Sequence, residues 1–196
     1  MPQAVPNLLW TIARNLKANS NGAYDPDPAT GVTHCNAYFY DFANAGWGYN
    51  GLLDANGNRQ LANDIIASIR TAIDWTVLVD KAAPFNDPLQ AAFDDARTRA
   101  GNGQLVLVAV QSPPGPNLHG HLNIVLPVDP TVGPCVQAPS WAALAPNSVP
   151  WVAQAGAAAM ANPVCPDPAT HLGWCVAYAR TQTPGWCFFM AALTLA

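Results

Sequence analysis

The stretch QLVLVAVQSPPGPNLHGHLNIVLP, Gln104–Pro127, decides how this chain is read. Its ends, QLVLVAV and HLNIVLP, are short apolar runs, and its middle, QSPPGPNLHG, is rich in proline and glycine. Short apolar runs bounded by such breaks, and rich in valine and isoleucine, read as strands rather than helices. Further along, VPWVAQAG reads as a third strand, and WCVAYAR and WCFFMAALTLA follow as strands on either side of the turn TQTPG. PCVQAPSWAALAPNSVP is a proline-rich insertion among them.

Toward the N-terminus the period changes. In PNLLWTIARNLKA, Leu8, Leu9, Ile12 and Leu16 share one helical face, after Pro6 and a candidate Asn7 cap. NSNGAYDPDPATGV is a turn-rich loop in which Pro26 and Pro28 stop that helix. Thr33 can cap a second helix through HCNAYFYDFANA, with Gly46 as its stop. LANDIIASIRTAI carries Leu61, Ile65, Ile66 and Ile69 at helical spacing. DPLQAAFDDARTRAG places Asp87 as cap, Pro88 at the first helical position and Gly101 as stop. Helices first and strands afterwards predict an α+β fold, with N-terminal helices packed on an antiparallel sheet. Neither a repeat nor an interdomain linker interrupts the chain, so residues 1–196 read as a single domain.

Composition narrows the function classes. Charged residues make up 10% and AVILMFWYC 51% of the 196 residues, enough apolar surface for a sizeable core. The formal net charge is −4 and there is no basic stripe, so a nucleic-acid partner is not expected. MPQAVPNLLWTIARNLKANS lacks the basic start and unbroken apolar core of a secretory signal, and no window approaches the length of a membrane span. Neither general export nor a span is expected from these features. Of five cysteines, Cys135, Cys165, Cys175 and Cys187 lie in the last third and Cys35 stands apart. Those four can form two bridges in any of three pairings, which would imply an oxidising place of work; all five as buried thiols is the alternative.

The chemistry centres on THCNAYF and LHGHLNIVLP. Cys35 falls in the first turn of its helix, where unpaired N–H groups and the positive end of the dipole favour a thiolate. His121 stands where a loop enters a strand, held rigidly yet open to solvent, as a general base requires. Imidazole can drain the thiol proton, and the Cys35 N–H can help stabilise a tetrahedral oxyanion.

The order of these pieces resembles the papain-like NlpC-type and CHAP amidase–peptidase superfamily, in particular the peptidoglycan amidase effectors of type VI secretion systems. THCNAYF is similar to that family's cysteine followed by small or polar residues and an aromatic. AAFDDARTRAGNGQLVLVAV resembles its helix leading into a strand, and GHLNIV its Gly-His-apolar strand. The resemblance spans residues 24–127. It implies a papain-like fold, no cofactor, no metal, Cys35 as nucleophile and His121 as base. Tyr24, eleven residues before the cysteine, falls where the family often places a substrate-contacting tyrosine. His34, Asn36 and His119 are further candidate substrate contacts. The orienting third residue normally comes from the following strand; Gln154 is the candidate, with Asp129 and Asn123 as alternatives. His34 and Asn36 flank the cysteine where many members have Asp or Asn and Ser. A peptidoglycan peptide substrate, a cognate immunity protein and action in a target-cell periplasm are further implications of the resemblance. Two other classes stay open: a non-catalytic cell-wall or protein-binding module on the same fold, and a zinc-dependent hydrolase using His119 and His121.

Overall fold

The computed structural model describes residues 5–16, 22–24, 34–80, 87–110, 120–128, 151–153 and 186–191. The elements are α1 (Val5–Leu16), a 3₁₀ turn (Gly22–Tyr24), α2 (Cys35–Trp47), α3 (Ala62–Ile69), β1 (Trp75–Asp80), α4 (Asp87–Gly101), β2 (Val106–Val110), β3 (His121–Leu126), β4 (Trp151–Ala153) and β5 (Trp186–Ala191). Helices and an antiparallel sheet together make a mixed α+β architecture. Among the described residues no helix is long and apolar enough to cross a membrane.

The helices follow their local signals with shifts at the ends. α1 begins at Val5, so Asn7 lies inside the helix instead of capping it, and Pro6 occupies the first turn, where its missing N–H has no intrahelical acceptor. Thr33, the expected cap of α2, lies outside the described residues, and His34 holds the N-cap position without a side-chain bond. α2 runs past Gly46, which is buried within it, and ends at Gly48. There φ is 62°, and the Gly48 and Tyr49 N–H groups donate back to the Asn44 and Ala43 carbonyls. The stop falls at Gly48 because closing the last turn needs a left-handed residue, and Trp47 still belongs to the buried stripe. A Cβ at Gly48 would meet no atom within 4 Å, so Gly48→Ala carries only the left-handed backbone cost. We expect a loss of about 1 kcal/mol, read as a lower denaturant midpoint at unchanged slope. Leu61 precedes α3 in extended conformation and is exposed, whereas Ile65, Ile66 and Ile69 are buried as their spacing predicts.

The strands form one sheet in the order β1-β5-β2-β3-β4, every neighbour antiparallel. β2 and β3 pair through Leu107↔Ile124 and Val110↔His121, as the opening stretch predicts. β1 corrects the expected order of helices first and strands afterwards. It lies between α3 and α4 and pairs with β5 from the far end of the chain. WCVAYAR, expected as a strand, lies outside the described residues.

Alternation along the strands divides the buried side chains into two layers. Leu107, Ala109, Leu122, Ile124, Leu126, Trp151 and Ala153 share a core with α1, α2, α3 and Trp75. Val106, Val108, Asn123, Val125 and Val152 alternate with them, are equally buried, and lie on the opposite side. α4 packs on β2, β3 and β5, and its buried Phe93, Ala96 and Ala100 belong to that second layer. Helices therefore cover both sides of the sheet, where the sequence suggested a single helix layer.

Two indoles fix how the first layer sits. Trp10 of α1 donates from Nε1 to the Pro127 carbonyl at 3.0 Å, just after β3, and meets Trp151 of β4 edge-on at 5.7 Å. Trp47, the last residue of α2, donates to the Gly103 carbonyl at 2.8 Å, just before β2. Both bonds are buried, where an unpaired indole N–H or carbonyl would cost about 1–3 kcal/mol.

Candidate functional site

α2 sets the direction of the site. Its C-terminal end is tied by Trp47 to the start of β2, which is the end of the sheet where antiparallel β3 finishes. Tyr49 confirms this polarity, since its ring meets Trp75 at the start of β1. Twelve helical steps back toward Cys35 span about 18 Å, and five strand steps from Leu126 to His121 span about 17 Å. Because α2 packs along β3, Cys35 and His121, the first residues of their elements, come to the same end of the sheet.

Cys35 lies in the first turn of α2, as expected, and its sulfur is in no disulfide. It is 3% exposed, on the stripe of α2 that also carries Phe39, Phe42 and Gly46, and it belongs to the core shared with Leu122 and Ile124. The first N–H groups of the helix have no intrahelical acceptor, so this terminus favours negative charge on the sulfur. His34, half-buried at the N-cap, lends its carbonyl to the Tyr38 N–H at 3.1 Å.

His121 is half-buried and follows Gly120, whose φ is 73°. Alternation sets His121 on the side of Asn123 and Val125, the α4 side, whereas Leu122 faces α2. The two candidate catalytic residues thus share an end of the sheet but issue from opposite sides of it. A path between them runs over the end of β3, not through the sheet.

Two of the expected substrate contacts, Tyr24 and Asn36, also fasten α2. The Tyr24 ring is buried against Tyr38, with centroids 5.3 Å apart, and its hydroxyl donates to Asp41 at 2.7 Å. Asn36 donates its amide to the Gln60 carbonyl at 2.9 Å. Asp41, which sequence reasoning missed, joins Tyr24 to Arg59, and Arg59 lies over the Tyr40 ring. Its signal was a lone carboxylate inside the aromatic run YFYDF. Tyr40 in turn donates to the Leu52 carbonyl and receives the Gln60 N–H, so the segment between α2 and α3 is bound to α2 from several sides, while Ser68 of α3 donates to the Gln60 side chain. His119, Gln154 and Asp129 lie outside the described residues, as do Cys135, Cys165 and Cys175. Among the described residues no group of three or more His, Cys, Asp or Glu side chains is gathered as metal ligands are.

Burial raises the affinity of the site's tyrosines for their protons. It is the main cause for Tyr24, aided by the bond to Asp41, and for Tyr38, aided by Tyr24. Burial also pushes Tyr49 up to about 12, with Asp74 adding to the effect and the Trp75 N–H opposing it. These hydroxyls bind protons more tightly folded than unfolded. Their stabilisation is therefore complete below the unfolded tyrosine value of about 10 and is lost as pH rises toward the folded values. Urea midpoints are expected to fall from about pH 10 upward, and Tyr38→Phe is expected to remove part of that fall.

Compared with protein-family models and with curated proteins, the chain matches none.

Proposed function

We propose that this protein is a cysteine amidase or endopeptidase acting on amide bonds of peptidoglycan peptides, with Cys35 as nucleophile and His121 as general base. What supports this reading most is one arrangement: a helix opening at Cys35 lies along a strand opening at His121, with both openings at one end of the sheet. The substrate class rests on the resemblance of THCNAYF and GHLNIV to the papain-like amidases. A cognate immunity protein and work in a target-cell periplasm belong to the same proposal.

In the reaction, an imidazole nitrogen of His121 takes the Cys35 proton, and the thiolate attacks the carbonyl carbon. The oxyanion of the tetrahedral intermediate is met by N–H groups at the start of α2. The C–N bond breaks as the imidazolium returns the proton to the leaving amine. Water, deprotonated by His121, then cleaves the thioester, releasing the acid and restoring the thiol. The reaction requires the imidazole to reach the sulfur over the end of β3, beside Gly120.

A second reading, a binding module without turnover, is favoured by the alternation of β3 and by the burial of Cys35. Incubation with peptidoglycan fragments separates the two. New amines and shorter product masses, lost in Cys35→Ala and His121→Ala, support the hydrolase. Binding without new amines supports the module, and activity intact in Cys35→Ala removes the thiol mechanism. A chelator-treated sample tests the metal-dependent alternative in the same assay.

A further inference from the structure

The sequence holds four Asn-Gly pairs, and Asn50–Gly51, Asn56–Gly57 and Asn102–Gly103 lie wholly among the described residues. In such a pair the glycine nitrogen can attack the asparagine amide, because a residue without Cβ leaves the approach open. A nitrogen whose N–H is already given to a carbonyl is the poorer nucleophile, since that bond must break first. The Gly57 N–H donates to the Asp54 carbonyl at 3.0 Å, and the Gly103 N–H donates to the Ala100 carbonyl at 3.0 Å. The Gly51 N–H donates to no acceptor among the described residues.

The Asn50 side chain differs from the other two as well. It is exposed, and its amide oxygen accepts the Asn44 amide at 2.7 Å, while its nitrogen donates to the Gly48 carbonyl at 3.3 Å. A donor on that oxygen draws electrons from Cγ and stabilises the oxyanion formed when a nucleophile adds there. No described donor meets the side-chain oxygen of Asn56 or Asn102.

We infer that Asn50–Gly51 is a site of spontaneous modification, at which Asn50 closes to a succinimide and opens to aspartate or isoaspartate. Hydroxide takes the Gly51 N–H proton, and the nitrogen adds to Cγ of Asn50. The Cγ–Nδ2 bond then breaks, and the amide nitrogen takes a proton from water and leaves as ammonia, which restores the hydroxide. Water opens the ring at Cγ to give aspartate, or at the former backbone carbonyl to give isoaspartate, whose main chain is one atom longer.

The fold both keeps this pair and favours the longer product. A Cβ at position 51 would lie 2.4 Å from the Tyr49 hydroxyl oxygen, which is held by Asp74 and Trp75, so position 51 requires glycine. Leu52 follows at φ 58°, the only non-glycine residue at positive φ among those described, and its carbonyl is held by Tyr40. An added atom slackens this strained exit from α2 and loosens the turn at Gly48 and Tyr49 that closes the helix. None of this depends on Cys35 or His121 acting in catalysis.

Incubation of the full-length chain at mildly alkaline pH, followed by peptide mass mapping, tests the inference. In the folded chain Asn50 is expected to convert ahead of Asn56 and Asn102, and in urea the three rates are expected to draw together. Asn44→Ala changes an exposed helix position to a good helix former, so the fold is kept. It is expected to slow conversion at Asn50 by about 3–10-fold, the worth of one hydrogen bond to the oxyanion, and to leave Asn56 and Asn102 unchanged. In the converted fraction the Gly48 and Tyr49 amide protons are expected to exchange faster with solvent. Conversion of Asn50 no faster than that of Asn56 and Asn102 in the folded chain overturns the site. An unchanged rate in Asn44→Ala overturns the activating bond, and unchanged exchange at Gly48 and Tyr49 overturns the loosening.

Discussion

Cys35→Ala is expected to leave a folded protein that releases no new amines from peptidoglycan fragments, a loss on the order of 10⁴-fold or more against the unmodified chain. The size follows from the proposed mechanism. Without the sulfur there is no acyl-enzyme, and an alanine methyl in its place supplies neither a nucleophile nor a proton for His121. The fold survives because the change removes one atom at the first turn of α2, while Phe39, Phe42 and Trp47 keep the helix on the sheet. Activity assayed beside a thermal melt separates the outcomes: an unshifted melt with lost activity assigns the loss to chemistry. A collapsed melt would make Cys35 a packing residue.

Phe42→Ala is the largest expected loss of stability, about 3–5 kcal/mol, a sizeable part of the roughly 5–15 kcal/mol that holds a domain together. Phe42 is fully buried at the centre of α2, between the Tyr38 ring at 5.9 Å and the Trp47 ring at 6.1 Å. The surrounding residues are themselves pinned, Trp47 by Gly103 and the Tyr24 partner of Tyr38 by Asp41, so the hole left by the benzyl group has little freedom to close. Urea unfolding measures the loss directly. A change below about 1 kcal/mol would mean that the aromatic stripe of α2 does not seat on the sheet as described.

Both predictions concern α2, and α2 was largely legible in the sequence. Cys35 in the first turn followed from Thr33 as the expected cap, one residue before the observed N-cap at His34. Its end was misread by one glycine in AGWG, because period and composition do not reveal which glycine takes positive φ. β2 and β3 were plain from short valine-rich runs around a proline break, and α4 from Asp87, Pro88 and Gly101, although Asp87 and Gly101 lie inside the helix and the positive φ falls at Gly103. β1 was missed. WTVLVD is a fair strand by composition, but it lies between two helices and its partner is β5, so nothing local announces the pairing.

The site was legible in its residue types and less so in its directions. HLNIVL is buried at every position but the first because helices cover the sheet on both sides, and such a run does not say which face is which. Only the shared core of Leu122 and Ile124 with α2 puts His121 and Asn123 on the other side. Tyr24 and Asn36 were read as substrate contacts from their distance to the cysteine along the chain. Their bonds to Asp41 and Gln60 depend on tertiary neighbours that spacing does not encode.

The claim that Cys35 and His121 share a proton is tested most directly by the pH dependence of Cys35 alkylation, resolved from the other four cysteines by peptide mass spectrometry. In the unmodified chain, the rate with a small reagent is predicted to level off well below the ordinary thiol value of about 8.5. His121→Ala is predicted to move that profile upward by a unit or more, as a thiol left in a buried site requires. Superimposable profiles in the two proteins would contradict the account.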